Sequence, residues 1–311
     1  MDYCDYHIPV TIQNFLRNDL LIIRPDGSVE NRNFSLSLWN GLGCNVRYNG
    51  YVVQQLRKFA QEFDCHFLCK RGDGPNFLSI HQLVELHNMY PRFLMPVASG
   101  LGAHIPLRCF QIPQDDDTTQ YGIECFLFSC GNWHARYADK SDTVFWRGRA
   151  SGTGLRRCLI DATIDKKGYD ISLTSTYKHL LLDKRRPFIG LPERVLARPH
   201  ITINEQLMYK YLVVVDGNNV PSNCDWVFAS GCTPILLSEY HFLLMDYAKP
   251  WVHYVPVSLD CSDLDVNIQR ARQCGEEIAH NAKELALRIL TPASLQKIMR
   301  SNIATALSHN W

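Results

Sequence analysis

Residues 208–257 read MYKYLVVVDGNNVPSNCDWVFASGCTPILLSEYHFLLMDYAKPWVHYVPV. An apolar run, Tyr211–Val215, ends in Asp216-Gly217 and a polar turn. A helix-like segment follows, and then a second apolar run, Thr233–Leu237. The last part, Lys249–Val257, is rich in aromatics and carries Pro250 and Pro256. The order is strand, turn, helix, strand. Strands alternating with helices specify α/β layers. Ligands of open α/β sheets bind outside the carboxyl ends of the strands, which is where this polar turn falls.

Upstream, Val144–Trp146 reads as another strand, running into Arg147-Gly-Arg-Ala-Ser-Gly-Thr-Gly154. Leu155–Ala162 then begins a helix. Downstream, Asp263–Leu290 is one long amphipathic helix whose acidic first turn suits the helix dipole, and Ser294–Leu307 is a final helix. Toward the N-terminus, short apolar runs such as Leu20–Ile23 alternate with turn signals such as Pro25-Asp-Gly27, a hairpin-like pattern. Val52, Val53, Leu56, Phe59 and Phe63 recur at helical spacing over Tyr51–Asp64. His66–Cys69 is a short strand, Phe77–Met89 a helix and Pro91–Leu107 a glycine-bearing loop. Tyr121–Ser129 reads as a buried strand. The polar stretch Ala138–Thr143 is the expected crossing between two halves. Asp183-Lys-Arg-Arg186 is a basic run between two less regular segments.

The chain has 311 residues, 46% apolar and 20% charged, with a net charge of +1. That length suits two domains with full cores and argues against global disorder. The charge balance does not suit bulk nucleic-acid binding or attachment to an acidic membrane surface. No apolar stretch is long enough for a membrane span. The start, MDYCDYHIPV, does not read as a signal peptide, nor ALSHNW as a retention signal, so a cytoplasmic location is expected. Twelve cysteines are scattered without a CxxC pair, and Cys65 and Cys69 are the closest. Zinc spacing is poor, and most are expected to be reduced core residues.

The segment Trp146–Arg157 places glycines, hydroxyls and four arginines between a strand and a helix start. Glycine lets backbone approach an anion, helix-start N–H groups favour phosphate, and arginine forks fit diphosphate oxygens. It lacks the P-loop pattern GxxxxGK[ST]. A basic surface turn is the other reading of it. The turn Asp216–Asn223 offers backbone amides, Ser222 and Asn223 for a second face of the same diphosphate, or is simply a capped Asp-Gly turn. Asp73, between glycines at a strand end, is a general base only if it faces a cleft. By itself it reads as a turn residue. Asp115 and Asp117, and again Asp263 and Asp265, have the spacing of cation-binding acid pairs, but solvated acid patches account for both. His253 reads first as a hydrogen-bonded core histidine, and no metal site is expected.

On these residues the chain resembles glycosyltransferase family 90, which includes fungal capsule-associated proteins and Rumi-type protein O-glucosyl- and O-xylosyltransferases. The similar wording is Tyr209–Leu212, Asp216-Gly217, Gly231, Lys249–Val257, Trp146-Arg-Gly148, Asp263-Leu264 and Glu276–Ala279, so residues 140–290 are covered well. Further upstream, His66–Pro75 is similar to the family strand that carries the catalytic base, with Asp73 at the matching position. His87–Pro91 resembles another family segment, followed by Ser99–Gly102 where the family lines its acceptor cleft.

The resemblance implies a GT-B type α/β fold of two Rossmann-like lobes facing a central cleft. It places the acceptor-side lobe with the base over 1–138, the UDP-sugar lobe over 139–290, and a helix over 291–311 packing back on the first lobe. It implies inverting, metal-independent transfer of xylose or glucose from a UDP-sugar to a hydroxyl of a glycan or glycoprotein, with no cofactor beyond that co-substrate. Asp73 would be the base. Gly148, Arg149, Ser151, Arg156, Asp216, Gly217, Asn218, Asn219, Ser222 and Asn223 would bind the donor. Tyr90, Ser99, Gly100 and His104 would meet the acceptor. The chain departs from the family where Asn223 stands in place of an arginine and Phe242 in place of an acid, and in a start that does not read as the leader expected of animal members. That last departure fits a microbial or large-DNA-virus member. Two other readings stay open: a metal-dependent GT-A-like transferase using Asp115 and Asp117, and a non-catalytic carbohydrate-binding relative.

Overall fold

A computed structural model describes residues 20–32, 56–70, 89, 92–94, 127, 130–151, 154–175, 188–217, 221 and 223–308. The chain divides into two compact units, residues 1–111 with 296–311, and residues 112–295.

In the first unit, β1 (Leu20–Ile23) and β2 (Val29–Arg32) form an antiparallel hairpin. The Asp26 carboxylate closes its turn by accepting the Ser28 N–H at 2.7 Å. Next comes β3 (His66–Lys70), antiparallel to β1 and parallel to β4 (Phe93–Leu94), giving the order β2-β1-β3-β4. Residues 56–63 are helical and bury Leu56, Phe59 and Ala60, spaced three and four apart so that one face meets the sheet. Ile23, Phe67 and Leu94 complete this core together with Met299 and Ile303 of the C-terminal helix Pro292–Ser308. Arg300 of that helix pairs with Glu62 at 2.7 Å.

The second unit holds five parallel strands in the order β6-β5-β7-β8-β9. These are β5 (Ser141–Gly148), β6 (Tyr169–Leu173), β7 (Tyr209–Val215), β8 (Thr233–Leu237) and β9 (Val255–Pro256). Tyr211 to Val215 are all buried, as in a parallel strand covered on both faces. Helix α1 (Leu155–Thr163) joins β5 to β6 and buries Leu155, Leu159 and Ile160. Helix α2 (Cys224–Ala229) joins β7 to β8. Helix α3 (Leu264–Ile289) packs on α2, β8 and β9. The chain leaves β5 toward β6, then returns past β5 to β7 and continues outward. The neighbouring strands β5 and β7 therefore flank the point where strand order reverses.

Several expectations change in detail. The pattern read as a strand over 121–129 includes Leu127, which is helical and buried. A short apolar run fits either state, and periodicity cannot separate them. The loop expected over 91–107 contains β4, because Phe93 and Leu94 pair with His66 and Phe67. Part of an irregular-looking stretch is β6, whose Asp170 masks the apolar run and pairs with Arg147 of β5. The stretch 138–143 holds a 3-10 turn, Tyr137–Asp139, and already the first residues of β5.

Candidate donor site at the carboxyl end of the parallel sheet

The loops after β5 and β7 meet at the reversal of strand order. After β5 the chain passes through Arg149, Ala150 and Ser151, and Gly154 leads into α1 at φ +109°, a conformation L side chains rarely adopt. Ser175, beyond β6, steadies this loop by accepting the Ala150 N–H at 3.0 Å. Arg156, in the first turn of α1, ties the two loops together. Its Nε donates to the Asp216 carbonyl at 3.0 Å. Its Nη1 donates to the Arg149 carbonyl at 2.8 Å and to Ser151 Oγ at 2.5 Å. A Cβ on Gly217 would stand 2.7 Å from Arg156 Nη2, so a side chain there would displace the guanidinium from its place between the loops.

Asp216 is buried, and its carboxylate faces β8. It accepts Ser238 Oγ at 2.8 and 2.9 Å and the Glu239 N–H at 2.6 Å. Burial pushes its pKa up to about 6, against the pull of the Ser238 and Glu239 hydrogen bonds. Asp216 is thus a brace between the ends of β7 and β8. Asn223, ahead of α2, donates from Nδ2 to the Val213 carbonyl at 2.9 Å and so holds the helix start to β7.

The four arginines of this segment have different work. Arg147 lies inside the sheet, pairs with Asp170 at 2.6 Å and covers the Phe145 ring. Arg157 pairs with Asp161 at 2.6 Å and donates to the Ile189 carbonyl at 3.0 Å. Arg156 is the clamp. Arg149 is exposed, and no described residue pairs with its guanidinium. Its charge stands beside the start of α1, the end of the helix dipole that favours an anion.

Beyond β8 a cavity of about 370 Å³ is lined by Ser238, Glu239, Tyr240, His241, Met245 and Tyr254. Apart from Tyr254, which lies in Lys249–Val257, the sequence points to none of these residues, although Ser238-Glu-Tyr240 follows an apolar run just as Asp216-Gly217 does. Ser175 lies just past β6, a strand whose apolar pattern is interrupted by Asp170.

The structure brings together Gly148, Arg149, Ser151, Arg156, Asp216, Gly217 and, through its bond to β7, Asn223. Asn218, Asn219, Ser222, the base candidate Asp73 and the acceptor candidates Tyr90, Ser99, Gly100 and His104 lie outside the described residues. So do Asp115 and Asp117. The second acid pair is committed elsewhere. Asp263 accepts the Ser258 N–H and hydroxyl at 2.8 Å each, while Asp265 pairs with Lys166 and accepts the Tyr169 hydroxyl at 2.6 Å. His253 Nδ1 accepts the Lys249 N–H at 2.9 Å, and burial lowers its pKa. Among the described residues no three His, Cys, Asp or Glu side chains are grouped to hold a metal, and no helix is long and apolar enough to cross a membrane.

The sequence profile described as Glycosyl transferase family 90 matches residues 126–301, more than half of the chain and all five strands of this sheet. The chain belongs to glycosyl transferase family 90. Relatives are modest in identity. "Uncharacterized protein 035R" of Invertebrate iridescent virus 3 is 27% identical over 163 residues, 47% of this chain and 15% of that protein. "O-glucosyltransferase LpsA" of Dichelobacter nodosus is 28% identical over 108 residues, 32% of this chain and 34% of that protein. "Protein O-glucosyltransferase 2" of Danio rerio is 29% identical over 154 residues, 48% of this chain and 27% of that protein. The chain therefore spans about a third or less of the length of these relatives. The family 90 match contains every described candidate residue of the donor site.

Proposed function

We propose that this chain is an inverting glycosyltransferase that moves xylose or glucose from a UDP-sugar to a hydroxyl of a glycan or glycoprotein, without a metal ion or other cofactor. The observation that carries the reading is the pair of loops at the β5/β7 reversal, clamped by Arg156, with the exposed Arg149, whose guanidinium no described residue pairs, beside a helix start. On this reading the diphosphate meets Arg149 and the first N–H groups of α1, and the departing UDP is stabilised there by charge and oriented dipoles. The nucleoside extends toward the cavity beyond β8, where Tyr240 and Tyr254 offer aromatic faces and Glu239 an acceptor for ribose hydroxyls. Asp73 deprotonates the acceptor hydroxyl, whose oxygen attacks the anomeric carbon opposite UDP. The architecture on this reading is GT-B. Family membership and the two relatives named as O-glucosyltransferases support the sugar-transfer class.

The test is NMR-followed turnover of a panel of nucleotide sugars by the purified chain in EDTA, with water as the default acceptor. Slow hydrolysis of UDP-xylose or UDP-glucose, releasing sugar of inverted anomeric configuration, supports the proposal. Turnover that appears only with added manganese or magnesium removes the metal-independent mechanism. Absence of both turnover and UDP binding overturns the donor assignment.

A further inference from the structure

Asp216 serves two neighbourhoods with different atoms. Its carbonyl oxygen accepts Arg156 Nε at 3.0 Å and so belongs to the clamp between the β5 and β7 loops. Its carboxylate holds the segment Ser238–Tyr240 that follows β8. Ser238 Oγ donates to it, 2.8 and 2.9 Å from its two oxygens, and the Glu239 N–H donates at 2.6 Å. Ser238 Oγ in turn accepts the Tyr240 N–H at 3.0 Å. All three residues thus hang on one buried carboxylate, and all three line the cavity of about 370 Å³ beyond β8. Asp216 itself is only 2% exposed and is not part of that lining, so an occupant of the cavity meets Ser238, Glu239 and Tyr240 and not the carboxylate that holds them.

The bond to the Glu239 N–H matters most. A peptide group is planar, so fixing its N–H fixes the plane from which the Glu239 side chain departs. Hydrogen bonds to a charged acceptor are among the strong ones, and this acceptor is anchored in β7 through its own backbone. Without the carboxylate, the Ser238 hydroxyl and the Glu239 N–H lose their partner in a part-buried place, and the segment shifts until another acceptor or water meets them. The side chains that face the cavity shift with it.

We infer that Asp216 is a positioning residue for the nucleoside half of the donor: its carboxylate sets Glu239 and Tyr240 against the nucleoside, while its carbonyl serves the diphosphate half through Arg156. This role rests on the donor reading above. Because two different groups of one residue are involved, mutation separates them. Asp216→Ala removes the carboxylate and keeps the carbonyl. Asp216→Asn keeps an oxygen for the Glu239 N–H and turns an amide N–H toward Ser238 Oγ, whose own proton then goes to the Tyr240 carbonyl 3.2 Å away. The asparagine therefore preserves the brace without its charge.

The experiment measures binding of UDP and of inorganic pyrophosphate by calorimetry, on the full chain and on Asp216→Ala, Asp216→Asn and Ser238→Ala, each checked for folding by circular dichroism. UDP binding is expected to weaken about tenfold in Asp216→Ala, the scale of one lost hydrogen-bonded contact, with pyrophosphate binding unchanged. Asp216→Asn is expected to restore UDP binding. Ser238→Ala removes only the hydroxyl and is expected to show the same split to a lesser degree, which keeps the test open if Asp216→Ala does not fold. Amide exchange at Glu239 and Tyr240 should quicken in Asp216→Ala and not in Asp216→Asn. UDP and pyrophosphate weakened by the same factor, or a lower melting temperature with UDP binding intact, makes Asp216 a structural brace alone and overturns the positioning role. An asparagine variant as weak as the alanine variant overturns it too. A parent chain that binds neither UDP nor pyrophosphate sinks the donor reading and the positioning role with it, whereas UDP bound equally by the parent and by Asp216→Ala sinks the positioning role alone.

Discussion

At the residue scale, the four arginines between Trp146 and Arg157 are chemically identical but differ in what they can do. Arg147, Arg156 and Arg157 are committed to protein acceptors, whereas Arg149 has none among the described residues. Arg149→Ala is therefore expected to leave the melting temperature unchanged and weaken UDP binding by roughly 1.5–3 kcal/mol, the loss of one charge-assisted contact, read by calorimetry. Arg156→Ala is expected to lower both, because three clamp hydrogen bonds go with it. Asp216 makes a pH-dependent prediction. Its carboxyl takes up a proton near pH 6 in the folded protein but near 3.8 as an ordinary carboxyl. Between those values the folded state binds more protons, so this group's contribution to stability is full below about pH 4 and is lost as pH rises through 6. The span is on the order of 3 kcal/mol. Denaturant stability measured from pH 3.5 to 7.5 should show that downward drift relative to Asp216→Asn. A flat difference between the two curves would contradict it.

At the element scale, α3 carries a glycine in its interior where propensity favours alanine by about 1 kcal/mol. Packing reverses that preference. A Cβ on Gly275 would lie 2.6 Å from the Tyr137 hydroxyl and 3.0 Å from Thr233 Oγ1. Those two hydroxyls bond each other at 2.7 Å, and Thr233 also donates to the Gly275 carbonyl at 2.9 Å. Gly275→Ala is expected to destabilise by about 1–3 kcal/mol, measured by denaturant unfolding, as overpacking outweighs the gain in helix propensity. A stabilised variant would show that α3 shifts freely on the sheet. The elements most legible beforehand were β7, β8 and α3, which have long runs or strong helical periodicity. β6 was not, because a charge that pairs with Arg147 interrupts its apolar pattern.

At the scale of the whole molecule, the first unit is discontinuous in sequence, since residues 296–311 belong with residues 1–111. Ile303 is fully buried there against Phe59 and Phe67, so Ile303→Ala is expected to cost about 2–4 kcal/mol. Hydrogen exchange should rise in residues 56–70 and not in β7 or β8. An increase in β7 and β8 alone would contradict the division. Sequence was sufficient for the α/β class, for the order strand, turn, helix, strand over 208–257, and for a polar turn at the carboxyl end of β7. Those properties follow from local apolar runs and turn residues, which act over a few neighbours. Only the tertiary structure decided that β5 and β7 lie side by side, that Asp216 turns its carboxyl into β8, and which arginine has no partner among the described residues. Each of those depends on a partner dozens of residues away, and a side chain's role is set by the groups that folding brings within hydrogen-bonding distance.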